Sequence, residues 1–259
     1  LEEERADSYT LGVVIAPRSI DALKNLTLTV DYFNIDVRNA IVSPGRNFIL
    51  DQCYNQNVQE FCDLVTRRPE DSSSNSAGSI DLIDSQAING GQLKVEGIDV
   101  TASLRQPLFS GNLLARIAYT HYLDGFVVTL PGTDPDPFAG EIGTSKDRFT
   151  ANLGWSNKDF DLMFTGTYIG PASEDNTFLA AYGLEPGSIR VGSEFYLDMQ
   201  AAFRAGERFE LYFGIDNLLD NTAPNLLSGT SFNVTGADTA ADVYDVFGRR
   251  FYIGARMKF

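Results

Sequence analysis

The chain has no long apolar run. Nowhere in its 259 residues do about 18 consecutive apolar positions occur, which excludes a transmembrane helix. It does not exclude membrane-spanning strands, because a barrel strand needs only one apolar face. Histidine appears once, at His121, and cysteine twice, at Cys53 and Cys62, so a Cys/His zinc site has too few ligands. No Gly-x-Ser-x-Gly and no other catalytic constellation is present, so no enzyme activity and no cofactor are expected. Asp134-Pro-Asp136-Pro and the pair Asp81 and Asp84 lack the spacing of a calcium loop and read as solvated loop acids, so no metal is expected. Basic residues are scarce: 20 Lys and Arg stand against 35 Asp and Glu, for a net charge of −15 and a pI of about 4.4. Such a balance argues against a nucleic-acid partner, whose phosphates need a basic face. The opening Leu1-Glu-Glu-Glu-Arg5 shows neither the basic start nor the apolar stretch of a leader, so the expectation is a cytoplasmic chain or one whose leader has been removed.

What is present is alternation. Aromatics are plentiful, with 18 Phe and 11 Tyr, and both residue types favour strands. At Phe251–Phe259, the residues Phe251, Ile253, Ala255, Met257 and Phe259 alternate with Tyr252, Gly254, Arg256 and Lys258, a strict period of two. The same period marks strands at Tyr9–Ile15, Leu26–Tyr32, Ile98–Leu104, Leu113–Tyr119, Phe149–Trp155, Phe160–Phe164, Leu197–Phe203 and Phe209–Ile215. The second runs on through Ile35 and Val37 with a change of face, where a bulge is expected. A polar stretch at about 43–92, with a short helix within Gln52–Arg67, shows no sustained alternation and reads as one long loop. It holds both cysteines. A local disulfide, implying an oxidising compartment, is favoured there over two buried thiols.

Nine strands result, and their connections alternate between short and long. That ordering puts all short turns at one end and all long loops at the other, as in outer-membrane barrels. A soluble sandwich would alternate its faces without ordering its loop lengths. The apolar set, including Leu153, Leu211, Phe213 and Ile253, is expected to face lipid, and Arg116, Asp198, Gln200 and Arg256 the lumen.

Two further patterns point the same way. Tyr252-x-Gly254-x-x-Met257-x-Phe259 resembles the C-terminal β-signal that outer-membrane proteins present to their assembly machinery. Six segments in order resemble the C-terminal part of TonB-dependent outer-membrane receptors, in particular a group with a cysteine-bearing loop. They are Asp7–Val14, Val30–Ile41, Cys53 to Arg67, Val95–Asp99, Gly214-Ile-Asp-Asn-Leu-Leu-Asp220 and Gly248–Phe259. The resemblance implies an all-β protein, a transmembrane antiparallel barrel of 22 strands plugged by a separate domain, in the outer membrane of a Gram-negative bacterium. It also implies uptake of a scarce ligand (siderophore, cobalamin, saccharide or peptide) with energy supplied through TonB.

About nine strands, with neither plug nor TonB box, suggest that residues 1–259 are the C-terminal part of such a barrel. The partners implied are lipid, the remaining strands and plug (from another chain or from missing residues), the TonB complex, and a small-molecule or oligomeric ligand. A small independent barrel is the other reading of the strand count. A passive diffusion pore and a soluble ligand-binding β-protein are the alternative functions. Phe178, Tyr182, Phe232 and Tyr244 lie in the long loops. They are candidates for ligand contact, or they pack the loops together.

Overall fold

The computed structural model describes residues 1–21, 23–69, 77–206, 208–226 and 238–258. Nine strands form one continuous path: β1 (Arg5–Ile15), β2 (Leu26–Val42), β3 (Ile88–Leu108), β4 (Gly111–Val128), β5 (Asp147–Ser156), β6 (Phe160–Ile169), β7 (Glu194–Ala205), β8 (Phe209–Asp216) and β9 (Arg250–Met257). Each strand hydrogen-bonds to its neighbours in sequence, and the pairs from β4 to β9 are antiparallel. The short connections are 16–25, 109–110, 157–159 and 206–208; the long ones are 43–87, 129–146, 170–193 and 217–249. Turn chemistry accounts for the tight end. The Asn157 side-chain oxygen accepts from the backbone N–H groups of Asp159 and Phe160, at 2.9 and 2.7 Å. Gly206 has a φ of 69°, which only glycine adopts at little cost.

The register sorts side chains onto two faces. Leu153 pairs with Ala115 and Phe164, Phe164 with Met199, Phe213 with Ala201 and Ile253, and Leu211 with Phe203 and Ala255. These form one apolar surface. Ile253 is 72% exposed and Leu153 51%, so the surface does not pack against a second sheet; the two other sheets have two strands each. The alternate positions carry Arg116 opposite Asn152, Asn152 opposite Thr165, Thr165 opposite Asp198, Gln200 opposite Gly214, and Glu210 opposite Arg256. One sheet with an exposed apolar face and a polar face is a barrel wall.

Two compact units divide the chain. The smaller comprises Leu1–Asp7, Asp36–Lys94 and Val127–Asp136; the larger comprises Ser8–Ile35, Val95–Phe126 and Pro137–Phe259. In the smaller, the long connection is folded rather than open. Helix α1 (Arg46–Tyr54) and helix α2 (Gln59–Cys62) precede a two-stranded hairpin, Val65–Arg67 with Ile80–Ile83. Cys53 and Cys62 are disulfide-bonded, with Cα atoms 4.7 Å apart. Around them Ile49 and Phe61 are buried, and Phe48 meets Phe61 edge-to-face at 5.4 Å. The short helix expected within Gln52–Arg67 is α2, and α1 precedes it; one boundary shifts, since β3 starts at Ile88, inside the stretch read as loop. Gly90 and Gly91 hide the alternation there: a Cβ on Gly91 would crowd Val42 and Ala40 of the neighbouring strand.

Candidate functional site

In the larger unit, the long connections pack on a core of their own. Ile142, Ile169, Ala172, Val191, Tyr196, Leu226, Ala240 and Tyr244 are buried together. Helix α3 (Asn176–Ala181) begins there, capped by Asp175, whose carboxylate accepts from the Phe178 N–H at 2.9 Å. Of the loop aromatics named from the sequence, Phe178 lies on this helix and Tyr182 directly follows its last residue, ring centroids 4.8 Å apart, and Tyr182 is 68% exposed. Tyr244 is elsewhere, 3% exposed within the loop core, where burial pushes its hydroxyl above the ordinary tyrosine range. Phe232 lies outside the described residues, as does Phe259.

The Asn-Leu-Leu-Asp stretch and the start of β9, noticed separately in the sequence, meet in space. Asn217 is fully buried at a φ of 50°, a conformation asparagine tolerates better than most residues. Its amide donates to the Asn221 carbonyl at 2.8 Å and to Asp245 at 3.3 Å, and its side-chain oxygen accepts from the Asn221 N–H at 3.0 Å. Its own N–H donates to Asp198 on β7 at 2.8 Å. Asp220, at a φ of 58°, accepts from the Arg249 N–H at 3.0 Å and faces the Arg249 guanidinium at 3.4 Å. Arg250 then reaches Asp216 at 3.4 Å and Asp245 at 3.7 Å. The two motifs thus form one clamp that ties the β8–β9 connection to the first residues of β9.

Tyr252 and Gly254 interlock with β8. Tyr212 pairs with Gly254 and Gly214 with Tyr252, so each tyrosine ring lies across the glycine beside it. A Cβ on either glycine would collide with the facing ring. This shielding of a strand glycine by a neighbouring aromatic explains both residue types at once. Met257 is on the opposite, apolar face with Ile253 and is exposed.

Along the apolar face, aromatics gather at both ends of the strands. At the long-loop end Phe149 stacks on Tyr168 at 5.0 Å and lies 6.3 Å from Phe195. Beside them the Tyr119 hydroxyl donates to Asp147 at 2.6 Å, and His121 Nδ1 is 2.8 Å from the same carboxylate oxygen. At the short-turn end Trp155 and Phe160 are 6.3 Å apart, and the indole N–H donates to the Leu108 carbonyl at 3.1 Å. Aliphatic Ile117, Ala151 and Leu153 lie between. Two aromatic belts around an aliphatic band match the girdles of membrane barrels. No group of three or more His, Cys, Asp or Glu residues among the described residues is arranged to hold a metal.

A single-layer, two-faced antiparallel wall with one short-turn end and one long-loop end defines the class as an outer-membrane-type β-barrel. Residues 1–218 match the family model described as "TonB dependent receptor-like, beta-barrel", and the chain belongs to that family. No curated protein matches it in sequence. Among solved structures it is similar to the ferric enterobactin receptor PfeA of Pseudomonas aeruginosa, at 19% identity and a TM-score of 0.57, covering 99% of this chain and 31% of that one. It is also similar to the ferric-catecholate import receptor Fiu of E. coli K12 (14% identity, TM-score 0.53, 100% of this chain and 28% of that one). For the FrpB iron transporter of Neisseria meningitidis the figures are 14% identity, a TM-score of 0.59, and 99% and 31% coverage. These likenesses are of fold. The chain spans about a third of the length of those structures.

Proposed function

We propose that this chain is the C-terminal part of the wall of an outer-membrane receptor that takes up a scarce ligand with energy supplied through TonB. The observation that carries the reading is family membership over residues 1–218, together with long connections packed into an ordered end. In this reading the apolar face meets lipid, the polar face lines the lumen, and a plug and further strands complete the barrel. Phe178 on α3 and Tyr182 just after it are the ligand-contact candidates with an exposed ring among them, whereas Tyr244 serves the packing of the loops. The iron-related cargoes named for the structural neighbours support testing ferric chelates first. The four long connections carry six Lys and Arg against seventeen Asp and Glu, which favours a neutral or cationic chelate over a polyanion.

The test is uptake by the full-length receptor in a Gram-negative host, with and without TonB, against ferric siderophores of differing charge, cobalamin, oligosaccharides and peptides. Accumulation of one ligand that stops without TonB is expected. Accumulation that continues without TonB would turn the reading to a passive pore.

Tyr252, Gly254, Met257 and Phe259 are assigned to assembly rather than to ligand binding. The placement of Met257 at the short-turn end of β9, paired with Phe209, supports that division; Gly254 is mid-strand, and Tyr252 is near the long-loop end, paired with Gly214.

A further inference from the structure

Of the six Lys and Arg in the four long connections, two line one recess. Lys146, at the end of the 129–146 connection, and Arg190, in the 170–193 connection, bound a space of about 480 Å³ with Glu141, Asp147, Ser173 and Asn176. The recess holds two carboxylates and two cations, so it has no formal surplus of charge. The two signs differ in how they are engaged. Asp147 accepts from the Tyr119 hydroxyl at 2.6 Å and lies 2.8 Å from His121 Nδ1, and buried Glu141 accepts from the Asn176 N–H at 3.1 Å. Lys146 and Arg190 are exposed and make no ion pair among the described residues. The Arg190 Nε donates to the Gly187 carbonyl at 2.7 Å, which fixes that side chain. The recess opens above the apolar face: Asp147, Phe149, Ala151 and Leu153 are successive positions on one side of β5. Next below the Phe149–Tyr168–Phe195 row, Ala151 pairs with Gly166 and Gly166 with Leu197. Ala151 and Gly166 are small between the larger Leu153, Phe164 and Leu197, and they floor an apolar groove of about 600 Å³.

We propose that recess and groove together form a site for one membrane lipid with an anionic, phosphate-bearing headgroup. The phosphate sits between Lys146 and Arg190, and an acyl chain lies in the groove floored by Ala151 and Gly166. A point cation beside a forked guanidinium matches a phosphate, whose several oxygens accept from both. The two carboxylates do not cancel this attraction, because each already receives donors from its own neighbours. From Asp147 to Ala151 is about 13 Å along the strand. That span carries a ligand from the headgroup layer across the aromatic row into hydrocarbon. A soluble anion would fill the recess and leave the groove empty, and a purely apolar ligand would do the reverse. The acidic long connections repel anionic lipid elsewhere at this end, so the two cations confine it to β4–β7.

The proposal rests on the apolar face meeting lipid, and the experiment separates it from the transport reading. Full-length receptor is released from nanodiscs of equal phosphatidylglycerol and phosphatidylcholine into a native mass spectrometer. One phosphatidylglycerol is expected to stay bound, and millimolar inorganic phosphate should not displace it. Lys146→Gln and Arg190→Gln, both at exposed positions, should each lower its retention about fivefold. Ala151→Leu keeps both charges, fills the groove and should also lower retention. TonB-dependent uptake should be intact in all three variants. Retention unchanged in the two charge variants, or equal retention of phosphatidylcholine, would overturn the lipid site. Displacement by inorganic phosphate would reduce it to an anion site, and lost uptake with unchanged lipid would give the recess to the transported ligand; either result overturns the proposal. Uptake by the unmutated receptor that ignores TonB would overturn the transport reading alone, with selective lipid retention still standing.

Discussion

Asn217→Ala should weaken attachment of β9 out of proportion to its size. The side chain makes three hydrogen bonds in a fully buried position, to both backbone groups of Asn221 and to Asp245. Each is worth about 1 kcal/mol net, and the backbone at a φ of 50° costs alanine about 1 kcal/mol more than glycine, so the total is about 3–4 kcal/mol. Asn217→Gly removes the same bonds without the conformational penalty and should be milder by about 1 kcal/mol. The assay is chemical denaturation of the full-length receptor in detergent, alongside protease susceptibility of the 217–249 connection. The expected order of stability is wild type, then glycine, then alanine, with cleavage in the connection rising in that order. An alanine variant as stable as wild type would refute the clamp, and one no worse than glycine would refute the conformational part of the argument.

Four other outcomes follow from the same structure. Gly254→Val should displace the Tyr212 ring and cost about 1–3 kcal/mol, and adding Tyr212→Ala should recover part of that loss in a double-mutant cycle. Replacing Cys53 and Cys62 by serine should remove about 2–3 kcal/mol from the loop unit alone, seen as protease nicking within 43–87 with the barrel's own denaturation unchanged. Leu211→Arg, on the apolar face, should cost about 2–4 kcal/mol in lipid, whereas Gln200→Arg on the polar face should be near neutral; equal effects in refolding into vesicles would contradict the assignment of faces. Deleting Phe259 removes about 1.5–3 kcal/mol of burial at most, so a collapse in outer-membrane abundance would mark failed recognition by the assembly machinery, and normal abundance would remove that role.

Legibility followed the range of the interactions. The nine strands, their two faces and the alternation of connections were readable because a period of two is a local property that one buried or lipid-covered face imposes on every strand. Glycines broke that signal at Gly90 and Gly91, where the close neighbour is Pro131 of a loop in the first case and Val42 and Ala40 of the adjacent strand in the second, and leaves no trace in the local pattern. The cysteine pairing followed from composition, since only two were present; the short helix within Gln52–Arg67 was legible as α2, whereas α1 was not, because its nine residues bury only Ile49 and Cys53, one turn apart and too few to stand out as a helical period.

The sequence alone therefore determined the wall: strand number, face assignment, the disulfide and the family likeness. Only the tertiary structure decided where the singled-out residues sit and what they touch. Tyr252 and Gly254 stood out as part of a terminal motif; the pairing adds that each is half of an interlock whose other half, Tyr212 and Gly214, lies some forty residues earlier in the chain. Tyr244 and Tyr182 were indistinguishable as loop aromatics until one was found in the loop core and the other in solvent. The ladder of Arg204, Glu210 and Arg256 was equally hidden, because the three residues meet only when β7, β8 and β9 pair in register. Register carries a residue's chemistry to its site, and register is a property of strands brought together, not of any one strand.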